Sequence, residues 1–272
     1  MSMSMRRYLA GAVVVSIASL GGTTTAQAKP AVVTISGSTS VAPLMGLLAK
    51  SYVKAKPGKI KFKLAQGGSD VGVADVAAGR VTIGMSSRDP KSSDPGGIFF
   101  NKIAKDAICL ATNPGNKVPN LSQEQIQGIF SGKITDWGDI PGATQSGTID
   151  IVGRTAASGT QDAFQKIFMG SSSISSSIAA KASNGLVQQT VQSDKNAIGY
   201  VSLDFVAGTN VASYNGVACD LRNAKSGEYG GVRNFWLVTR GRATGATQGF
   251  ISWVQNNKTA AAIIGKHWVP LQ

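Results

Sequence analysis

The stretch "AVVTISGSTSVAPLMGLLAKSYVKAK", Ala31 to Lys56, decides the fold. Ala31 to Ile35 is a β-branched apolar run of strand type, and it stops at the small residues Ser36 to Ser40. From Val41 to Lys56 the apolar residues recur at helical spacing. The reading is strand, small-residue turn, helix. The same grammar returns in "KIKFKLA", "QGGSD", "VGVADVAAG" (59–79) and again in "TIDIVG", "RTAASG", "TQDAFQKIF" (148–168). Three such units predict an α/β protein, whose ligands collect at the carboxyl ends of the strands, where those turns sit.

Between and beyond the units, "VTIGMSSRDP" (81–90) reads as a short strand ending in Ser86, Ser87, Arg88 and Asp89, and "DAICLATNPGN" (106–116) as an apolar strand closed by a turn. "LSQEQIQGIFSGKITDW" (121–137) reads as a helix with Ser122 as N-cap and Gln125 completing a capping box. The serine-rich segment 171–183 reads as a surface loop passing into a helix of modest stability. "NFWLVTR" (234–240) is a strand and "TQGFISWVQNN" (247–257) a helix, with Phe250, Ile251 and Val254 on one side.

Residues 1–28 have the layout of a secretory leader: Arg6 and Arg7, an apolar run from Tyr8 to Leu20, and Ala26 and Ala28 in an A-x-A cleavage pattern. The run is too short to be a good membrane span. The expected mature chain starts at Lys29 and is periplasmic or secreted. Lys and Arg total 27 against 14 Asp and Glu. That excess suits an anionic partner, and it equally suits solubility or surface adhesion. Two cysteines, Cys109 and Cys219, could pair in an oxidising compartment or stay separately buried, and the sequence leaves both readings open. With one histidine and no C-x-x-C pair, zinc, haem and most transition-metal sites lack ligands, and no cofactor is expected.

The chemistry concentrates at "VGRTAASGTQDAFQKIF" (152–168). A helix start offers unpaired backbone N–H groups and the positive end of the helix dipole, a ready seat for an oxyanion. Ser158 and Thr160 add hydroxyl donors, and Arg154 adds a planar fork that matches two oxygens of phosphate or sulfate. Serines at helix starts are also ordinary N-caps. What favours the anion reading is coincidence, since "SGSTS", "GGSD", "SSRDP" and "ASGT" are all expected on one ligand-facing edge. A hydrolase would need a base, and His267, set in "GKHWVPLQ", is the only imidazole. Aromatic residues are few and not interleaved with basic clusters, so nucleic acid is not an expected partner.

The motifs "ISGSTSVAPLM", "QGGSDVGV", "IGMSSRDP", "IFSGKITDWGDI", "GRTAASGTQDAF", "AIGYVS" and "HWVPL" resemble, in order, the phosphate-binding proteins of the phosphate-specific ABC transporter. The resemblance spans nearly the whole chain after the leader. It implies a periplasmic-binding-protein fold of two α/β lobes with a hinge, a monomer that closes on inorganic phosphate and delivers it to a membrane permease, with no enzymatic step. The implied lobes are 29–104 with a return segment 236–272, and 105–235. The implied phosphate ligands are Ser38, Thr39, Ser40 and Ser69 from the first lobe and Arg154, Ser158, Gly159 and Thr160 from the second. The rival readings are a binding protein for another tetrahedral oxyanion such as sulfate, an exported phosphatase and a basic adhesion protein.

Two departures from the family pattern bear on selectivity. Where members carry Ser-Asp, with the carboxylate accepting a proton from phosphate, this chain has Ser86 and Ser87 followed by Arg88. Ser87 therefore joins the candidate ligands, with Asp70 and Arg88 as further candidates. Asp70 or Asp89 is expected to supply the missing acceptor, Asp70 the better placed because its turn opens a helix beside Ser69. Ala156 stands where an acid often accompanies the arginine, so Arg154 is expected to be held differently.

Overall fold

A computed structural model describes residues 29–271; the leader read in residues 1–28 lies outside the described residues. Strand β1 (Ala31–Gly37) leads through the small-residue turn into α1 (Ala42–Ala55), followed by β2 (Ile60–Leu64), α2 (Ser69–Ala77) and β3 (Ile83–Ser86). A long β4 (Ile98–Thr112) precedes β5 (Asn120–Leu121), α3 (Gln123–Ser131), β6 (Asp150–Arg154) and α4 (Gly159–Phe164), which runs on as a π-turn through Met169. Then come β7 (Ala179–Lys181), α5 (Asn184–Ser193), β8 (Ala197–Ser202), β9 (Asn210–Tyr214), α6 (Leu221–Ser226), β10 (Val232–Arg240), α7 (Gly245–Asn256) and α8 (Lys258–His267). No helix among the described residues is long and apolar enough to cross a membrane.

The strands run in the order β2-β1-β3-β10-β4-β8-β6-β7. Strands β1, β2 and β3 pair in parallel at one end, as do β6, β7 and β8 at the other, while β10 and β4 lie antiparallel to each other between them. Two cores result. One gathers Ile35, Leu44, Met45, Met85, Phe235, Leu237 and Phe250; the other gathers Leu110, Phe130, Trp137, Phe164, Phe168 and Tyr200. Three segments contribute to both: Ala104 and Ala107 in β4, Phe235 and Val232 in β10, and the tail, where Trp268 packs in the first core and Val269 in the second. The chain thus has the two-lobe layout expected, with β4, β10 and the tail crossing between lobes.

Where the structure differs from the sequence reading, long-range pairing is the reason. Strand β4 starts eight residues before the apolar run at Asp106, because its mixed N-terminal half pairs with β10 from Ile98↔Arg240 to Ala107↔Val232. Residues 179–181, which read as helix, form β7, held by parallel pairing to β6. The helix begins after them, at Asn184. The capping box at Ser122 and Gln125 is formed as read. Cys109 and Cys219 are joined in a disulfide that ties β4 to the segment before α6.

Candidate functional site

Parallel strands deliver their carboxyl ends to one place. Strand β1 ends at the Ser38–Ser40 turn, β2 before Ser69, β3 at Ser86–Arg88, β6 at Arg154 and β7 before Asn184. Ser38, Thr39, Ser40, Ser69, Ser87, Arg88, Arg154, Ser158 and Thr160 are all buried, none more than 5% exposed. Such residue types are mostly exposed unless paired, so their joint burial marks a built polar site.

At its centre, three hydroxyl oxygens meet six N–H donors. Thr39 Oγ1 accepts from Arg154 Nη2 at 3.1 Å and Asn184 Nδ2 at 3.1 Å. Ser40 Oγ accepts from Asn184 Nδ2 at 2.8 Å and Arg233 Nη2 at 2.9 Å. Thr160 Oγ1 accepts from Arg154 Nη1 at 3.3 Å and Arg233 Nη1 at 2.8 Å. Each hydroxyl oxygen has two lone pairs, so both are taken on all three, and each hydroxyl still has its own proton to donate. The 3.0 Å approach of Ser40 Oγ to Thr160 Oγ1 can place one of these protons at most. Asn184 cannot turn its amide to help, because its Oδ1 accepts the backbone N–H of Ser202 at 3.1 Å.

Charge follows the same pattern. The other partners of the Arg154 guanidinium are the carbonyls of Lys181 and Ala182, at 3.1 and 3.0 Å, and no carboxylate is among them. Burial, and then the nearby Arg233 guanidinium, depress the Arg154 pKa to about 10, so it keeps its charge at neutral pH but at a cost. Arg233 is balanced by Asp106, which accepts from its Nη2 at 2.8 Å and its Nε at 3.1 Å. Burial lowers the Arg233 pKa and raises that of Asp106, each opposed by the other's charge. Two buried arginines therefore face one buried carboxylate.

A second group of hydroxyls adjoins this centre through the Ser38–Ser40 turn. Ser38 Oγ, accepting the N–H groups of Ser40 and Val41, donates to Ser87 Oγ at 2.8 Å. Ser87 Oγ also lies 3.3 Å from Ser69 Oγ, which accepts the Ser87 N–H at 3.0 Å. Ser158 acts as N-cap of α4, its hydroxyl accepting from the N–H groups of Thr160 and Gln161. Gly159 fits because a Cβ there would lie 2.9 Å from the Arg88 backbone nitrogen.

The side chains of the further candidates, Asp70 and Arg88, are engaged with each other. Arg88 is turned from the hydroxyls into a carboxylate clamp, with Nε on Asp70 at 2.6 Å and both terminal nitrogens on Asp94 at 3.0 and 2.6 Å. The Asp70 side chain is 41% exposed and engaged there. Asp89 accepts from Asn234 Nδ2 and Trp236 Nε1. Neither aspartate side chain bonds to the hydroxyl cluster, and the Arg88 guanidinium is engaged by Asp70 and Asp94. His267 is half-exposed and lies 3.5 Å from Asp204, outside the cluster.

Contacts cross from one lobe to the other throughout. Besides the Thr39, Ser40, Thr160 and Asn184 bonds, the Asp70 N–H donates to the Ala157 carbonyl at 3.1 Å, and Lys91 pairs with Asp162 at 2.5 Å. Gly68, at φ 100°, allows this approach, since a Cβ there would stand 2.6 Å from the Ala157 oxygen. The lobes are closed on each other.

Asp106, Asn184 and Arg233 escaped the sequence reading. Asp106 carried a signal, a lone charge opening an apolar strand; Arg233 stood one residue outside the stretch read as a strand. Asn184 follows the serine-rich segment and had none.

A sequence profile described as a PBP superfamily domain matches residues 24–258. The phosphate-binding protein PstS of Bacillus subtilis (strain 168) is 28% identical over 236 residues, 85% of this chain and 77% of that protein. A crystal structure of a putative phosphate ABC transporter substrate-binding protein with bound phosphate, from Clostridium perfringens, superposes with a TM-score of 0.83 at 31% identity, over 89% of this chain and 100% of that one. An ABC-type phosphate transport receptor from Vibrio cholerae superposes with a TM-score of 0.71 at 27% identity, over 88% and 100% of the two chains.

Proposed function

Since the chain belongs to the PBP superfamily, we propose that it is an extracytoplasmic solute-binding protein that captures inorganic phosphate between its two lobes and delivers it to the permease of an ABC transporter. The observation that carries the ligand class is the buried Arg154 guanidinium, which has no carboxylate partner and stands among hydroxyls whose acceptor capacity is already full. An oxyanion supplies both the negative charge and the lone pairs that this arrangement lacks. The names of the relatives support phosphate among the oxyanions. Ser38, Thr39, Ser40, Ser69, Ser87, Arg154, Ser158, Gly159 and Thr160 form the phosphate site in this reading; Asp70 and Arg88 do not. The lobes divide near 104 and 235, with the return segment from 236, and the protein acts as a monomer outside the cytoplasm after loss of the leader. Binding without turnover suits a cluster in which no imidazole stands beside a hydroxyl.

Titration calorimetry on ligand-free protein tests this. Phosphate is expected to bind once per chain, and Arg154→Ala to bind it more than tenfold more weakly, a charge-assisted contact being worth roughly 1.5–3 kcal/mol. Arg154→Lys should recover only part, because a point charge does not reproduce the fork. No saturable phosphate uptake, or an unchanged Arg154→Ala, sinks the assignment. Phosphomonoester hydrolysis by the purified protein would favour a phosphatase, and heparin binding without phosphate uptake an adhesion protein.

A further inference from the structure

Asp106 and Arg233 face each other in the register of β4 and β10, where the sheet passes from one core to the other. Both side chains are buried, at 0% and 3% exposed. Asp106 grips the guanidinium from the side, through Nε and Nη2 onto one oxygen, while Ser202 Oγ holds its other oxygen at 2.9 Å. That leaves the far edge of the guanidinium aimed at the hydroxyls, with Nη2 on Ser40 from one lobe and Nη1 on Thr160 from the other. Of the two Nη1 hydrogens only one is used, because the Thr160 bond is its single partner.

We propose that Arg233 is a second anion anchor, carried where β4 and β10 cross between the lobes, and that Asp106 is its positioning residue. The inference rests on the oxyanion reading above. Set where the strands cross, the guanidinium meets Thr160 of its own lobe and Ser40 of the other when the lobes are closed. Its positive charge then acts on any anion those hydroxyls hold, and the Asp106 charge offsets part of that attraction. An ion pair kept only for architecture would behave differently, since breaking it from either end would harm the site in the same sense.

The two ends of the pair therefore make the test. Asp106→Asn removes the charge and keeps the bonds: the amide oxygen can take Arg233, and the amide nitrogen can donate to Ser202 Oγ, which turns to accept. Calorimetric titration with inorganic phosphate should show Arg233→Gln weakened about tenfold or more with Arg154 intact, and Asp106→Asn tightened by about threefold or more. Thermal unfolding should show a larger phosphate-induced rise in Tm for Asp106→Asn than for wild type, even where the ligand-free variant melts lower. Weakening in both variants, or an unchanged Arg233→Gln, overturns the proposal and leaves the phosphate reading standing, provided wild type binds. A wild type that takes up no phosphate fails the reading itself. If Arg233→Gln does not fold, Asp106→Asn decides alone: tighter binding supports the anchor, and unchanged or weaker binding removes it.

Discussion

Thr39, Ser40 and Thr160 spend their lone pairs on nitrogen donors of the protein, so whatever fills the cleft must accept. Selectivity among tetrahedral anions is a separate matter, because phosphate at neutral pH carries an O–H that sulfate lacks. The aspartates nearest in sequence are committed elsewhere, Asp70 to Arg88 and Asp89 to Asn234 and Trp236. We expect Asp70→Asn and Asp89→Asn to leave the ratio of phosphate to sulfate affinity within about threefold of wild type, measured by competition, since neither carboxylate faces the hydroxyls; a misplaced buried acceptor would cost roughly 1–3 kcal/mol. A tenfold loss of discrimination in Asp70→Asn would return the acceptor role to that carboxylate. Arg154, Ser158 and Thr160 were legible in the sequence because they stand within one turn of chain, where charge, hydroxyls and helix start could be read together. Ser158 had two readings, and in the structure its oxygen caps the helix. Arg233 and Asp106 were not legible as a pair, because only the β4–β10 register brings together residues 127 apart.

The turn after β3 shows how an element is held in shape by charge. Asp94 receives two bonds from Arg88 and the Lys91 N–H at 2.8 Å, and so fixes the loop that follows Ser86–Ser87. Burial pushes its carboxyl up, but the Arg88 and Lys91 bonds outweigh that and hold it below the ordinary carboxylate value. A carboxylate depressed in the folded state stabilises above its unfolded pKa, near 3.8, and loses that contribution as pH falls through the folded value. Asp94→Asn should thus melt below wild type at pH 7, and the gap should narrow as pH falls below about 4. A gap independent of pH would show that Asp94 acts by shape and not by charge. Elements with local causes were legible: the capping box of α3 lies within four residues. The first half of β4 and the short β7 were not, because each owes its strand form to a partner distant in sequence.

At the scale of the whole molecule, the strand-turn-helix grammar at 31–56, 59–79 and 148–168 foretold an α/β protein and the edge on which its buried hydroxyls gather. It could not foretell the strand order, in which β10 lies between β3 and β4, nor that the tail crosses from one core to the other between Trp268 and Val269. Those follow from which strand edges the chain leaves open for later segments to fill. Three crossings and a cleft stitched by Thr39–Arg154, Ser40–Thr160 and Lys91–Asp162 describe a closed form. Closure brings a buried arginine without a carboxylate partner against three hydroxyls of which at least two have no acceptor for their proton, an arrangement that an anion stabilises and an empty cleft does not. The central claim is therefore capture between moving lobes, and small-angle scattering on ligand-free protein, before and after saturating phosphate, tests it most directly. The radius of gyration should fall on adding phosphate in wild type, and Arg154→Ala should need more than tenfold more phosphate for the same fall. An equal radius with and without phosphate in a wild type shown to bind it would contradict the claim.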